Sequence, residues 1–245
     1  LPQLVEHLGE PMADNSLMPT YYVSEFARKS VTVAMTGDGG DEVFAGYRRF
    51  YHMRRAETLA RWRLTPLWRG SRRITVAVEN LTHPGKPRRH FPATRADEML
   101  ALAGAERYQH LLAFYTDSEK RSLITPEFAR AAGGPATSAY LAQALARAAG
   151  ADAVNRWLYV DQSTYLPEDI LFKVDIASMA NSLECRSPFL DHELIEFACS
   201  LPGSYKLTGA GRHKHILKEA FKDWLPPGFM QREKQGFSVP LASWV

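Results

Sequence analysis

Val31–Phe50 reads VTVAMTGDGGDEVFAGYRRF, and the order of residue types in this stretch decides the fold. Val31 to Met35 is a short run of β-branched and apolar residues closed by turn formers, the pattern of a buried strand in a parallel sheet. Gly37, Gly39 and Gly40 let the chain turn sharply and present N–H groups. Asp41 and Glu42 then put acid at a helix start, where the dipole favours it. Strand, loop and helix leave two carboxylates, Asp38 and Asp41, at the carboxyl end of a strand, the edge where open α/β sheets bind ligands. A plainer reading stands beside this one: a strand-to-helix turn in which Asp41 only caps the helix, since Gly and Asp are common turn residues. Three glycines between Thr36 and Asp41 exceed the need of one turn and favour a ligand loop.

Upstream, Leu1 to Pro19 reads as a loop, and Tyr22, Val23, Phe26 and Ala27 at helical spacing predict a helix after Pro19 that ends near Lys29. Downstream, Val43, Phe44, Tyr47, Phe50 and Tyr51 keep one apolar face to about Ala60, and Leu64, Leu67, Trp68 and Ile74 suggest a further helix. PGKPRRHFP (Pro84–Pro92) breaks the pattern, Thr94 with Asp97 resembles a capping box, and Thr125-Pro126 opens a helix that Gly133-Gly134-Pro135 closes. Thr137 to Ala149 is an Ala-rich helix. Ile170, Leu171, Val174 and Ala177 predict a core face, and His213 to Leu225 is amphipathic until Pro226-Pro227-Gly228. The fold class is α/β with a mostly helical remainder.

With 245 residues, 45% hydrophobic and 23% charged, the composition is that of an ordinary globular chain. Its apolar runs fall far short of the roughly 20 residues of a bilayer span, so no membrane is implied and the cytoplasm is the default compartment. Cys185 and Cys199 lack metal-ligand spacing and read as buried thiols. Thirteen Lys and Arg between Arg48 and Arg95, against Glu57 and Glu79, give that stretch +11 and leave −8 for the rest of a chain of net charge +3. Little aromatic interleaving accompanies those charges. A solvated helical face, or one meeting an acidic partner, is therefore preferred to a nucleic-acid surface.

TGDGGDE is not a common phosphate or calcium motif. A dinucleotide fingerprint needs glycine at Glu42, a P-loop needs Lys followed by Ser or Thr, and an EF-hand needs oxygen ligands over twelve residues. Its N–H groups can hold an anion, and its carboxylates can hold Mg²⁺ by one or two oxygens, which suits a nucleoside triphosphate and its metal. Lys173, Asp175, Glu184 and Arg186 form either an ion-pair network or part of a site. Lys234 by itself reads as a solvated lysine, and His192, His213 and His215 as surface residues.

Three regions together resemble the synthetase domain of glutamine-dependent asparagine synthetases and related ATP-dependent amidotransferases. They are TGDGGDEVFAGY (Thr36–Tyr47), LPEDILFKVDIASMANSLECRSPFLDHELIEFA (Leu166–Ala198) and REKQGF (Arg232–Phe237), and EPMADNSLMPTYYVSEFA upstream fits the helix before the strand. The resemblance implies a partial PP-loop ATP pyrophosphatase fold. In that frame residues 1–60 are the C-terminal part of the α/β nucleotide-binding core, 61–152 a helical basic region and 153–245 a helical region completing the site. It implies ATP and Mg²⁺ as cofactors and a two-step reaction in which aspartate is activated as an acyl-adenylate and glutamine-derived ammonia forms the amide. By family position Thr36, Gly37, Gly39 and Gly40 lie on the nucleotide, Asp41 binds Mg²⁺ and pyrophosphate, and Lys234 stabilises the charge growing on the α-phosphate.

Asp38 stands where the family has a catalytic glutamate, one methylene longer, so a related amidotransferase acting on another carboxylate is the alternative. The family's SGGxDS pyrophosphate loop and its N-terminal glutaminase domain, with a cysteine as first residue, do not occur in this sequence. Leu1 and Val245 therefore read as interior positions of a longer protein, and this chain alone is expected to make no product. A missing glutaminase domain, and a homodimer, are the implied protein partners. A non-catalytic helical interaction domain is the remaining alternative.

Overall fold

The computed structural model describes residues 2–64, 98–115, 117–133, 137–226 and 228–231, with positions 66, 67, 70 and 239. Lys234 and the REKQGF segment, most of the predicted helix from Leu64 to Ile74, the PGKPRRHFP break and the Thr94–Asp97 box lie outside the described residues. The chain divides into two compact units, one of residues 1–47 and 154–245 and one of residues 48–153.

In chain order the elements used below are α1 (Pro2–Leu8), α2 (Leu17–Arg28), β1 (Val33–Met35), α3 (Gly40–Phe44), α4 (Arg48–Arg61), α5 (Gly104–Leu112), α6 (Thr137–Arg147), α7 (Ala153–Ser163), α8 (Phe172–Met179), β2 (Glu184–Arg186), α9 (His192–Ser200) and α10 (His215–Ala220). A π-helical turn, Leu166–Leu171, leads into α8, and a 3₁₀ turn, Pro188–Leu190, follows β2.

In the first unit β1 and β2 pair in parallel, with Val33 opposite Glu184, Ala34 opposite Cys185 and Met35 opposite Arg186. The expected parallel strand is present, but it is not buried: Val33 is 37% and Met35 68% exposed. Apolar residue types record a preference for burial. Among the described residues β1 has one neighbouring strand, and nothing covers the outer side of those two side chains.

Two predicted boundaries also move. The N-terminal segment is not a continuous loop: α1 forms, and α2 begins at Leu17 with Pro19 inside its first turn, where a missing N–H costs nothing. On α2 the predicted face of Tyr22, Val23 and Phe26 is exposed, and Leu17 with Ser24 faces inward instead. Leu17 joins Leu4 and Ala177 in one core cluster, with Leu8, Met12, Met18 and Tyr21 packed against it. Of the core face predicted for Ile170, Leu171, Val174 and Ala177, which spans the π-helical turn and α8, only Ala177 is fully buried; the other three are half-buried.

The predicted single helix from Val43 to Ala60 breaks at Ala45, which takes φ 58° at the end of α3. Val43, Phe44 and Ala198 form a second cluster under Phe189, Leu194, Ile195, Ile216 and Leu217. Phe44 meets Phe189 edge-on at 6.0 Å, a favoured ring geometry. Asp191 caps α9, its carboxylate accepting from the N–H groups of Glu193 and Leu194 at 3.0 and 3.3 Å. Cys199, on the last turn of α9, is exposed, and Cys185 is half-buried, so neither is the fully buried thiol expected; both are free. The predicted helix from His213 shortens to α10, with Lys214 before it at φ 51°.

In the second unit Phe50, Met53 and Ala56 are the buried stripe of α4, and Ala56 clusters with Met99 and Leu100. Arg49 donates from Nε to the Tyr108 hydroxyl at 3.0 Å, and α5 packs against α6. The other arginines of α4 are half-buried or exposed. Thr125 caps the helix Pro126–Ala132 through its hydroxyl, which accepts from Phe128 N–H at 3.2 Å, as the Thr-Pro start predicted.

Candidate functional site

Beyond Met35 the ladder continues for one bond, Thr36 N–H to Arg186 C=O at 2.8 Å, and the chain then turns into the glycine loop. The Thr36 hydroxyl donates to Ser187 Oγ at 3.1 Å, and Ser187 Oγ donates to the carbonyl of Asp38 at 2.7 Å. The residue after β2 thus fixes the loop that follows β1. Two of the three glycines have a packing reason. Gly39 has φ 82°, and a Cβ there would lie 2.2 Å from Leu190; at Gly40 it would meet the Phe189 ring at 3.1 Å. Among the described residues nothing stands within 4 Å of such an atom at Gly37, where the loop leaves the strand. The N–H of Gly40 closes the turn on Gly37 C=O at 3.3 Å.

Gly37, Asp38, Gly39, Asp41, Glu42 and Tyr47 from the loop and α3 line a cleft of about 170 Å³ together with Ile170, Lys173 and Val174, and with Ser16 and Thr20 of the α2 segment. Asp38 and Asp41, singled out from sequence, are brought together here. The volume is about half the lower bound of an ordinary small-molecule pocket, enough for one end of a nucleotide or for a small acid. The π-helical turn supplies Ile170; such turns gather at functional sites because they re-aim side chains within a helix.

Three polar arrangements shape the cleft. Lys173, buried on α8, donates to the Asp14 carboxylate and, at 2.8 Å, to Ser16 Oγ. Burial alone would raise the Asp14 pKa, but the hydrogen bonds from Lys173 and Ser16 outweigh it and hold the carboxyl below its ordinary value. Asp41 pairs through Oδ1 with Lys214 Nζ at 2.8 Å. Glu42, 1% exposed, accepts from the Tyr47 hydroxyl at 2.6 Å, and Gln162 Nε2 donates to its backbone carbonyl at 3.1 Å.

Burial pushes the Glu42 carboxyl up. The Tyr47 hydrogen bond opposes that rise, and the nearby charges of Asp161 and Asp41 add to it. A raised carboxyl pKa means that the folded state holds the proton longer, so this group lowers stability as pH climbs from the ordinary glutamate value through the raised one. Glu42→Gln keeps an acceptor for Tyr47 and removes the charge. The variant is expected to gain on the wild type as pH rises, by about 2–5 °C in melting temperature at the alkaline end of a series from about pH 4 to 9. Parallel melting curves would refute the assignment.

Of the ion-pair network considered for α8 and β2, Arg186 pairs with Glu184 at 2.7 Å, and Lys173 turns instead to Asp14. His192 is exposed as expected. His213 is half-buried, with Nδ1 3.0 Å from the carbonyl of Ala45, and His215 stands 3.7 Å from Glu219. Asp14, Glu42 and Lys214 are the residues that sequence reasoning missed. Asp14 read as loop punctuation, Glu42 as one more acid at a helix start, and no local pattern marked Lys214.

Among the described residues no group of three or more His, Cys, Asp or Glu side chains could hold a metal by itself. Two carboxylates in an open cleft suit Mg²⁺, which keeps waters and takes further oxygens from a phosphate. Among the same residues no helix is long and apolar enough to cross a membrane.

A glycine–aspartate loop at the carboxyl end of a parallel strand, lining one cleft with a buried lysine, is the place at which open α/β folds hold their ligands. The sequence model of the asparagine synthase family matches residues 1–245, and the chain belongs to that family. Asparagine synthetase (glutamine-hydrolyzing) 1 of Bacillus subtilis is 30% identical over all of the chain and 36% of its own length. A Mycobacterium tuberculosis protein named "putative asparagine synthetase (glutamine-hydrolyzing)" is 32% identical over all of the chain and 35% of its own length. Amidase chyE of Penicillium rubens is 25% identical over 98% of the chain. The chain spans about a third of the length of the curated relatives it matches. No solved structure gives a significant match.

Proposed function

We propose that this chain carries the pyrophosphate-facing part of an ATP-dependent amide ligase of PP-loop ATP pyrophosphatase fold, working within a longer protein that includes a glutaminase domain. The convergence of Asp38 and Asp41 with Lys173 on one cleft, from segments some 130 positions apart, carries this reading. In the first step an oxygen of the substrate carboxylate attacks the α-phosphorus of ATP and pyrophosphate leaves. In the second, ammonia attacks the acyl carbon, AMP leaves with its oxygen, and the nitrogen gives up a proton. Thr36, Gly37, Gly39 and Gly40 form the loop that meets the nucleotide, Asp41 takes the Mg²⁺–pyrophosphate end, Asp38 stands nearest the proton to be removed, and Lys234 neutralises the α-phosphate. Bound Mg²⁺ would neutralise charge on the leaving pyrophosphate.

Asparagine formation from aspartate is the reading favoured by family membership. Asp38 favours a second one, amidation of a different carboxylate, because its carboxylate is a methylene shorter than the family's glutamate, and an offset of about 1 Å at a reacting group can cost ~10²-fold. ATP–pyrophosphate exchange by the full-length protein, driven in turn by aspartate, glutamate and larger carboxylic acids, separates the two. Exchange with aspartate alone supports asparagine synthesis, and exchange only with another acid supports the second reading. A protein that neither exchanges nor binds Mg·ATP is the interaction domain instead. Residues 1–245 expressed alone are expected to give no exchange.

A further inference from the structure

The Asp41–Lys214 pair is built at some cost. Lys214 adopts φ 51°, a left-handed conformation that side-chain-bearing residues avoid, immediately before α10. Its aliphatic chain and the Asp41 carboxylate fill the space beside Gly46: a Cβ there would lie 1.6 Å from Asp41 Oδ1 and 2.5 Å from Lys214 Cε. The segment before it is fixed as well. Arg212 N–H donates to Thr208 Oγ1 at 3.1 Å, and the His213 ring meets Ala45 C=O, next to that glycine. Both side chains are partly open to solvent, 31% and 22% exposed, although the Oδ1 that meets the ammonium is itself shielded, and pairs with partly exposed side chains add little to stability. Strain, a required glycine and a pinned approach all serve to place one ammonium on one carboxylate of the cleft.

We infer that Lys214 is a positioning residue acting through Asp41: it is the resident counter-ion of that carboxylate and makes divalent-ion binding there depend on a phosphate-bearing ligand. The inference rests on the proposed role of Asp41 at the Mg²⁺–pyrophosphate end. A divalent ion arriving alone meets a carboxylate already neutralised and a like charge beside it. A di- or triphosphate changes that balance, because its oxygens accept from the ammonium while offering the metal further ligands. Metal and phosphate then enter together, and neither is held well alone.

The test counts free Mn²⁺ by electron paramagnetic resonance in the full-length protein, with Mn²⁺ alone and with Mn²⁺ plus inorganic pyrophosphate. Lys214→Met is expected to bind Mn²⁺ alone about tenfold more tightly than the wild type and to lose most of the gain that pyrophosphate brings; Lys214→Arg is expected to stay within about threefold of the wild type. Lys214→Gln, also uncharged, gives the same comparison where the methionine variant does not fold. Uncharged variants that melt earlier but bind Mn²⁺ alone no more tightly than the wild type would overturn the inference and leave Lys214 a structural residue. Asp41→Asn separates the two levels. If it binds Mn²⁺ with pyrophosphate as the wild type does, the reading of Asp41 is wrong. If it loses that binding while the uncharged Lys214 variants match the wild type, only the role of Lys214 falls.

Discussion

Asp41→Asn in the full-length protein is expected to lower ATP–pyrophosphate exchange by about 10³-fold and to shift the melting temperature by no more than about 2 °C. Asp41 makes a 2.8 Å ion pair with Lys214 through a shielded oxygen, but both side chains are partly exposed, and such a pair is worth about 1 kcal/mol to the fold. Loss of a carboxylate that holds the metal end of a leaving pyrophosphate removes stabilisation that grows toward the transition state, commonly about 3–4 kcal/mol. A structural role predicts the reverse pattern. Exchange within a few-fold of the wild type, or a fall in exchange matched by a collapse in melting temperature, would remove Asp41 from the proposed site.

Lys173→Met is expected to destabilise the protein by about 2–3 kcal/mol, read from denaturant midpoints. Lys173 is buried and its Asp14 partner largely so, with side-chain exposures of 8% and 21%. Methionine fills much of the lysine's volume, so the loss is mainly that of leaving Asp14 in a poorly solvated place, still accepting from Ser16 N–H. The value sits below the range for fully buried pairs because Asp14 keeps some contact with water. Asp14 has its pKa lowered in the folded state, so its contribution is complete above the ordinary aspartate value and disappears as pH falls through the folded one. The wild type should therefore lose its advantage over Lys173→Met only under strong acid. Asp14→Asn combined with Lys173→Met should cost less than the sum of the two single changes, and strict additivity would show that the pair does not act as a unit.

Local rules made the central stretch legible. The β-branched run at Val33 to Met35 pointed to an extended strand, and the turn residues after it to acids at the strand's carboxyl end, and both are found. What local rules could not supply was the partner of each charge. Lys173 was read against neighbours on α8 and β2 yet reaches Asp14, some 160 positions earlier. Lys214 was one basic residue on an amphipathic segment, and its meaning comes from a space that Gly46 leaves open. Burial misled in the same way. Val33, Met35, Tyr22 and Phe26 carry the marks of core residues and face outward, since hydrophobicity states what a side chain favours without naming what covers it. Two loop glycines chosen as ligand contacts also have close neighbours: Leu190 blocks a Cβ at Gly39, and Phe189 crowds one at Gly40.

The parallel pairing of β1 with β2 also sets an order of assembly. Val33 waits for Glu184, and between them lies all of the second unit, Arg48–Ala153, with a core of its own. During synthesis at roughly 5–20 residues per second, that unit is complete before the second strand leaves the ribosome. For several seconds the glycine loop has neither Ser187 to hold its carbonyl nor Lys214 to meet its acid. The cleft is thus among the last parts of the nascent chain to form, and a chain halted with residue 153 outside the ribosome but residue 187 still inside would hold the whole of the second unit while the site is unmade.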